Sequence, residues 1–209
     1  MNAGGRGRLV ALEGIDGCGK STQARRLADA IDAVLTREPG GTDLGRALRA
    51  VLLEPSDAAV SDRAEALLMA ADRAQHVIEV IEPALAVGRW VVTDRFSAST
   101  LAYQGSGRGL GLDELDSLIR WATRGLEPDL NVLVDVPVDV AAGRRTGSAP
   151  DRIEGLDRAF HEGVGLAYRK MAEDAPDRWL VVDGTADLDT VSAAILGGVR
   201  ARLGAPTRG

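Results

Sequence analysis

A five-stranded parallel sheet with helices on both faces, an α/β fold, is what this chain predicts, on three observations. Short apolar strands alternate with helix-period segments from end to end, the pattern of strands joined by crossover helices. Five such strands read at about 8–13, 33–37, 90–94, 130–135 and 179–183, with helices filling the gaps. No internal repeat or low-complexity linker interrupts the series, so 1–209 is expected to form a single domain.

The first strand, Arg8 to Glu13, is the apolar run Leu9, Val10, Ala11, Leu12. The helix that follows, Ser21 to Ile31, places Ala24, Leu27, Ala28 and Ile31 at helical spacing. The longest helix is expected over about 61–87, opened by Ser61 as its cap with Glu65 nearby and closed near Gly88. After the third strand, Thr100, Tyr103 and Gln104 fall on one helix at spacings that let them line one wall. Segment 143–152 carries glycine with Arg144, Arg145 and Arg152 and reads as a lid. The tail from Gly204 to Gly209 is expected to fray.

Composition excludes several classes. Apolar residues make up 45% and charged residues 27%, ordinary for a globular chain, and no apolar run approaches the length of a membrane span. Met1 to Arg8 lacks the apolar stretch of a secretory signal, so a cytoplasmic location is expected. A formal net charge of -6 argues against a general nucleic-acid binder, although local arginine clusters can still capture phosphate. The lone Cys18 excludes an intramolecular disulfide, and His76 and His161, the only histidines, provide no zinc-ligand spacing.

Gly14-Ile15-Asp16-Gly17-Cys18-Gly19-Lys20-Ser21 matches the phosphate-cradling pattern G-x-x-x-x-G-K-[ST] directly after an apolar strand. Its glycines let backbone N–H groups face inward, and the next helix points its positive end at the phosphates. Lys20 would reach the β- and γ-phosphates, and the Ser21 hydroxyl suits Mg²⁺, a hard cation. Lys20 and Lys170 are the only lysines in an arginine-rich chain. Cys18, near a helix N-terminus where a thiolate is favoured, reads as a small residue that fits the loop.

With this loop, Thr36-Arg37-Glu38-Pro39-Gly40-Gly41-Thr42, Asp94-Arg95-Phe96, Ala102-Tyr103-Gln104-Gly105 and Asp151-Arg152-Ile153-Glu154 come in an order and spacing that resemble the bacterial thymidylate kinases. The resemblance implies the P-loop nucleoside monophosphate kinase fold with a lid, phosphoryl transfer from ATP to dTMP with Mg²⁺, and a homodimer. It implies an ATP site at Gly14 through Thr22 with Arg144, and a metal site at Ser21 and Asp94. The catalytic set it implies is Lys20, Asp94, Arg95, Arg145 and Arg152, and either Arg144 or Arg145 supplies the lid cation, because the phosphate loop here contains no arginine. For dTMP it implies Asp16, Arg37, Pro39, Arg49, Met69, Arg73, Arg95, Thr100, Tyr103 and Gln104.

Each of these residues also has a plainer reading. Asp16 either faces the sugar and metal or bonds its own turn; Arg49 either holds phosphate or is a solvated helix arginine; Tyr103 either crowds the sugar 2′ position or merely packs. Met69, where the family often has phenylalanine, either covers the base or fills the core. Arg46 stands where the family often has glutamate. The rival functions are a kinase for another nucleoside monophosphate or a deoxynucleoside, a regulatory GTPase and a DNA-binding partition ATPase. The GTPase lacks its N-K-x-D motif, since neither lysine follows an asparagine, and the acidic balance opposes DNA binding.

Overall fold

The computed structural model describes residues 5–54, 59–144 and 150–204. In chain order the elements are β1 (Leu9–Glu13), α1 (Lys20–Ile31), β2 (Val34–Arg37), α2 (Asp43–Leu53), α3 (Asp62–His76), α4 (Glu82–Ala86), β3 (Val91–Asp94) and α5 (Ser97–Thr100). There follow α6 (Leu112–Thr123), β4 (Leu130–Asp135), α7 (Val138–Arg144), α8 (Arg158–Asp174), β5 (Trp179–Asp183) and α9 (Leu188–Leu203). Among the described residues the sheet has five strands in the order β2-β3-β1-β4-β5, and every neighbouring pair is parallel. The expected strands are found to within a residue.

Strand period two explains the two-sided core. Leu9 and Ala11 of β1 pack with Val77, Ile81, Leu85 and Phe96 on one face. Val10 and Leu12 point to the other, with Leu27, Ile31, Val164 and Tyr168. The winding reverses about β1: the chain leaves it for β2 at one edge, and β4 and β5 build the other side. Ligands of such sheets bind at the carboxyl ends of the strands. Register brings those ends together here, pairing Leu12 with Asp94 and Arg37 with Asp94.

The expected helix over 61–87 divides. Ser61 caps α3 by accepting from Ala64 N at 3.3 Å, and Gly88, at φ 79, follows α4. Between α3 and α4 the turns of Val77–Ile81 widen, and Glu82 N–H donates to Val77 O, five residues back. Pro83 is the physical cause: it has no N–H, and its ring crowds the carbonyl four residues earlier. A second widened stretch, Leu101–Gly107, extends α5 and carries Tyr103 and Gln104 inward.

Gly45, in the first turn of α2, donates its N–H to Thr42 Oγ1 at 2.9 Å and packs on Asp72 of α3. A Cβ here would lie inside van der Waals contact of Asp72 Oδ1 and 3.0 Å from Thr42 Oγ1. Gly45→Ala should therefore lose about 1–3 kcal/mol despite alanine's better helix propensity. Urea unfolding measures this, and a variant as stable as the parent would show that Asp72 yields at no cost.

Candidate active site

The phosphate loop joins the carboxyl end of β1 to α1. Gly14, Gly17 and Gly19 take φ of 144, 86 and 95. A Cβ on Gly14 would come within 2.8 Å of both Val134 O and Cys18 Sγ, so that position needs glycine for space as well as backbone angle. Gly19 provides no side-chain cap to α1, and the first turn carries no acidic residue. The N–H groups at this helix end are therefore left to an anion. Ile15 is buried in the core, and Thr22 is exposed in the first turn of α1. Lys20 Nζ is held only loosely, 3.4 Å from both Ile15 O and Asp16 Oδ1.

Ser21 Oγ donates to Asp94 Oδ2 across the β1–β3 pair. Asp94 Oδ1 is buried and has no hydrogen-bond partner among the described residues. A hydroxyl beside a carboxylate with an unsatisfied buried oxygen fits a hard divalent cation. Cys18 is buried, and burial pushes its thiol up. The helix-end preference for thiolate is overridden, and the reading as a small fitting residue holds.

Behind the loop lies a polar cluster centred on Arg95, a non-glycine residue at φ 74. Its Nη1 donates to Gly14 O, Ser99 Oγ and Tyr168 OH, each at 3.1 Å. Nη2 donates to Asp16 Oδ1 at 2.6 Å and Tyr103 OH at 2.9 Å. Arg95, expected to present its fork to a phosphate, instead spends most of it on the protein, although it still lines the cavity. Asp16 does not spend its carboxylate on its own turn: it pairs with Arg95 and Lys20, accepts from Tyr103 OH at 2.7 Å, and lines the cavity. Burial alone would raise its carboxyl, but the Arg95 and Lys20 charges, with these hydrogen bonds, hold it well below the carboxylate range. Glu13, wholly buried at the end of β1, accepts from Phe96 N, Ser99 Oγ and Tyr168 OH at 2.9, 2.7 and 3.0 Å. Burial pushes its carboxyl up.

A second cluster follows β2. Glu38 is buried between Arg73 Nε, at 2.7 Å, and His76 Nδ1, at 2.8 Å. Arg73 also donates to Thr100 Oγ1 at 2.8 Å and Phe96 O at 3.1 Å. The Arg37 side chain makes no hydrogen bond or ion pair among the described residues. Arg49 donates to Pro39 O at 2.9 Å and is pushed below its ordinary value by burial and by the neighbouring Arg37 charge. The reading of Arg49 as a freely solvated arginine fails, because it is part-buried in the cavity wall. Arg46, exposed, pairs with Asp43.

A cavity of about 230 Å³ joins these clusters. Asp16, Gly17, Lys20, Ser21 and Asp94 line its loop end, Arg37, Pro39, Arg49 and Arg95 its middle, and Met69, Arg73, Thr100, Tyr103 and Gln104 are in the remaining wall. The expected acceptor residues thus share one cavity. Arg144 and Arg152 do not. Arg144 Nη1 donates to Gly184 O at 2.8 Å and reaches Cys18 O at 3.5 Å, beside the phosphate loop. Arg145 lies outside the described residues. Arg152, expected to face the triphosphate, turns away: Nε donates to Leu52 O at 2.8 Å and Nη2 to Glu65 at 2.7 Å. The cause is Glu65, a buried carboxylate that needs cations.

Sequence reasoning missed Glu13, Glu65, Asp72, Ser99 and Tyr168. A carboxylate closing an apolar strand one residue before the loop was a signal for Glu13. Glu65 read as a helix-opening residue, and Tyr168 carried no signal at all.

The chain matches the family model described as Thymidylate kinase over residues 12–195. It is 49% identical to a thymidylate kinase of Chromobacterium violaceum, covering 91% of this chain and 92% of that protein. It is 48% identical to one of Cupriavidus metallidurans, covering 91% and 96%. Its fold superposes on the crystal structure of thymidylate kinase from Ehrlichia chaffeensis with a TM-score of 0.75 at 29% identity, covering 94% and 98%.

Asp72 accepts from Gly40 N at 2.9 Å and is raised to about 6 by burial and by the charge of Glu38. The folded protein thus holds this proton after the unfolded chain, near the ordinary 3.8, has lost it. Stability from this group is intact below about 4, falls as pH rises and is fully lost above about 6. Asp72→Asn keeps an acceptor for Gly40 and removes the titration. Between pH 4.5 and 7.5 its unfolding free energy should fall less than the parent's; parallel profiles would show that Asp72 titrates normally.

Proposed function

The chain belongs to the thymidylate kinase family, and on that premise we propose how its residues carry out the reaction. It is an ATP-dependent kinase that phosphorylates dTMP to dTDP. The observation that carries the residue assignment is the single cavity running from Lys20 and Ser21 to Arg73 and Gln104, which gives a phosphate donor and a pyrimidine acceptor a shared chamber.

In this reading residues Gly14 to Thr22 hold the ATP phosphates on loop N–H groups and the open end of α1. Lys20, loosely tethered, swings onto the transferring phosphoryl. Ser21 and Asp94 would hold Mg²⁺, which when bound neutralises charge on the β- and γ-phosphate oxygens. Arg37 and Arg49, without carboxylate partners among the described residues, clamp the dTMP phosphate. Its oxygen attacks the γ-phosphorus in line, ADP leaves, and no covalent enzyme intermediate forms. Arg95 holds Asp16 and Tyr103 in place, and Tyr103 crowds the sugar 2′ position. Arg144, already beside the loop, is the lid cation, with Arg145 the alternative, and Arg152 is a structural partner of Glu65.

Met69 covers the base. Glu38 aims Arg73, whose remaining N–H donors face thymine O4, while the Gln104 carbonyl accepts from N3–H. Arg73 and Gln104, both buried, carry polar atoms that a base with the wrong edge would leave unpaired. The net charge of -6 supports small-molecule partners over nucleic acid. Among the described residues no helix is long and apolar enough to cross a membrane, consistent with work in the cytoplasm.

A steady-state panel with dTMP against other nucleoside monophosphates tests the assignment: dTMP should dominate. Lys20→Ala should lose about 10²–10³ in kcat with the fold intact, and Arg144→Ala should lose kcat with dTMP affinity nearly kept. Near-normal turnover in folded Lys20→Ala would remove the proposed phosphate site.

The chain acts as a homodimer. In support, α3 and the widened turn after it expose Leu67 (58%), Ala71 and Ile78 (54%) along one face, an apolar stripe left exposed among the described residues. Sedimentation should give the dimer mass for the parent and the monomer mass for Leu67→Glu. A monomeric parent would end this assignment.

A further inference from the structure

We infer that Glu65 sets the pyrimidine preference of the base site, by fixing which end of the Gln104 amide faces the cavity. Glu65 lies in the first turn of α3, wholly buried, and touches no part of the cavity itself. Its Oε1 accepts from Gln104 Nε2 at 2.8 Å. Its Oε2 accepts from Arg108 Nη2 at 2.9 Å and Arg152 Nη2 at 2.7 Å.

An amide side chain is symmetric enough to be placed either way round, and its two ends have opposite hydrogen-bonding character. An ionised carboxylate removes that freedom, because it only accepts. The end of Gln104 that meets Glu65 must be the NH₂ group, so the end left to the cavity is the carbonyl. Arg108 and Arg152 keep the carboxylate charged: burial alone would raise it, but the hydrogen bonds from Arg108, Gln104 and Arg152 hold it below its ordinary value. The Gln104 carbonyl has no hydrogen bond among the described residues and belongs to a side chain in the cavity wall.

The consequence is a test of one edge atom. Thymine carries a hydrogen on N3 and gives it to a carbonyl. Cytosine has a lone pair there, and carbonyl against lone pair is repulsive as well as unpaired. Arg73 adds separate discrimination at the 4-position, favouring an oxygen over an amino group, so Glu65 controls only the N3 share. The inference rests on the assignment of the base edge to Gln104 and Arg73, and it makes Glu65 a positioning residue, not a catalytic one.

The experiment compares dTMP with 5-methyl-dCMP, which differ only at N3 and the 4-position, on the full chain. In Glu65→Gln the partner can donate or accept, so the Gln104 amide is free to turn its NH₂ toward the base. The kcat/KM for 5-methyl-dCMP relative to dTMP should rise about tenfold, with the KM for ATP unchanged. Glu65→Asp keeps the charge needed by Arg108 and Arg152 and withdraws the oxygen by one methylene; it should shift the ratio in the same direction by less, and it carries the test if Glu65→Gln fails to fold. A ratio within about twofold of the parent in every folded Glu65 variant, while Gln104→Ala still loses dTMP specifically, overturns the role of Glu65 alone. If Gln104→Ala keeps parental selectivity for dTMP, the base-edge assignment fails and takes the inference with it.

Discussion

The part-buried contact between Arg95 and Asp16 is the constraint on which the rest of the site depends. Asp16 belongs to the loop after β1 and Arg95 to the turn after β3, and strand order makes those two ends neighbours. The guanidinium also holds Gly14 O, Ser99, Tyr103 and Tyr168, so one cation ties the phosphate loop to the α5 extension and α8. Desolvation offsets much of the attraction in a part-buried pair of this kind, yet removing one partner leaves the other without the charge it was arranged to meet. Its effect is geometric. The loop cannot move relative to β3 without breaking it, and Ser21 and Asp94 stay in register as a result.

Buried carboxylates in and behind the cavity wall form a common pattern. Glu38 stands beside Arg73 and Glu65 behind Gln104, while Glu13 supports two of the three hydroxyls that accept from Arg95. Each gives up its own solvation to orient a donor or amide that lines the cavity. Arg37 and Arg49 break the pattern, with no ion-pair partner among the described residues. Two guanidinium groups thus meet in the cavity wall without a direct carboxylate contact, although Asp94 and Asp151 act on Arg49 from nearby. Burial and the Arg37 charge lower Arg49, outweighing the nearby Asp151 and Asp94 carboxylates.

The proline at position 83 shows how a local rule shapes the site at a distance. It widens the helix between α3 and α4, so that both Val77 and Ile81 reach the core while Arg73 and His76 remain turned toward Glu38. The same helix keeps Leu67, Ala71 and Ile78 outward. Cavity wall and exposed apolar stripe are opposite sides of one element.

Strand positions, the phosphate loop and the residues around Asp94 were legible in the sequence because each rests on a local pattern: apolar runs, glycines where φ is positive, a lysine followed by a hydroxyl. The expected acceptor residues from Arg37 to Gln104 were legible through resemblance, and they do line one cavity. What the sequence could not determine was how the charges pair. Arg95 and Asp16 are 79 positions apart, Gln104 and Glu65 are 39, and Arg152 and Glu65 are 87. A charged side chain reads alike in sequence whether it meets water, substrate or a buried partner. Burial decides among these, because an ion removed from water must take the nearest opposite charge, and only the tertiary structure determines which one that is.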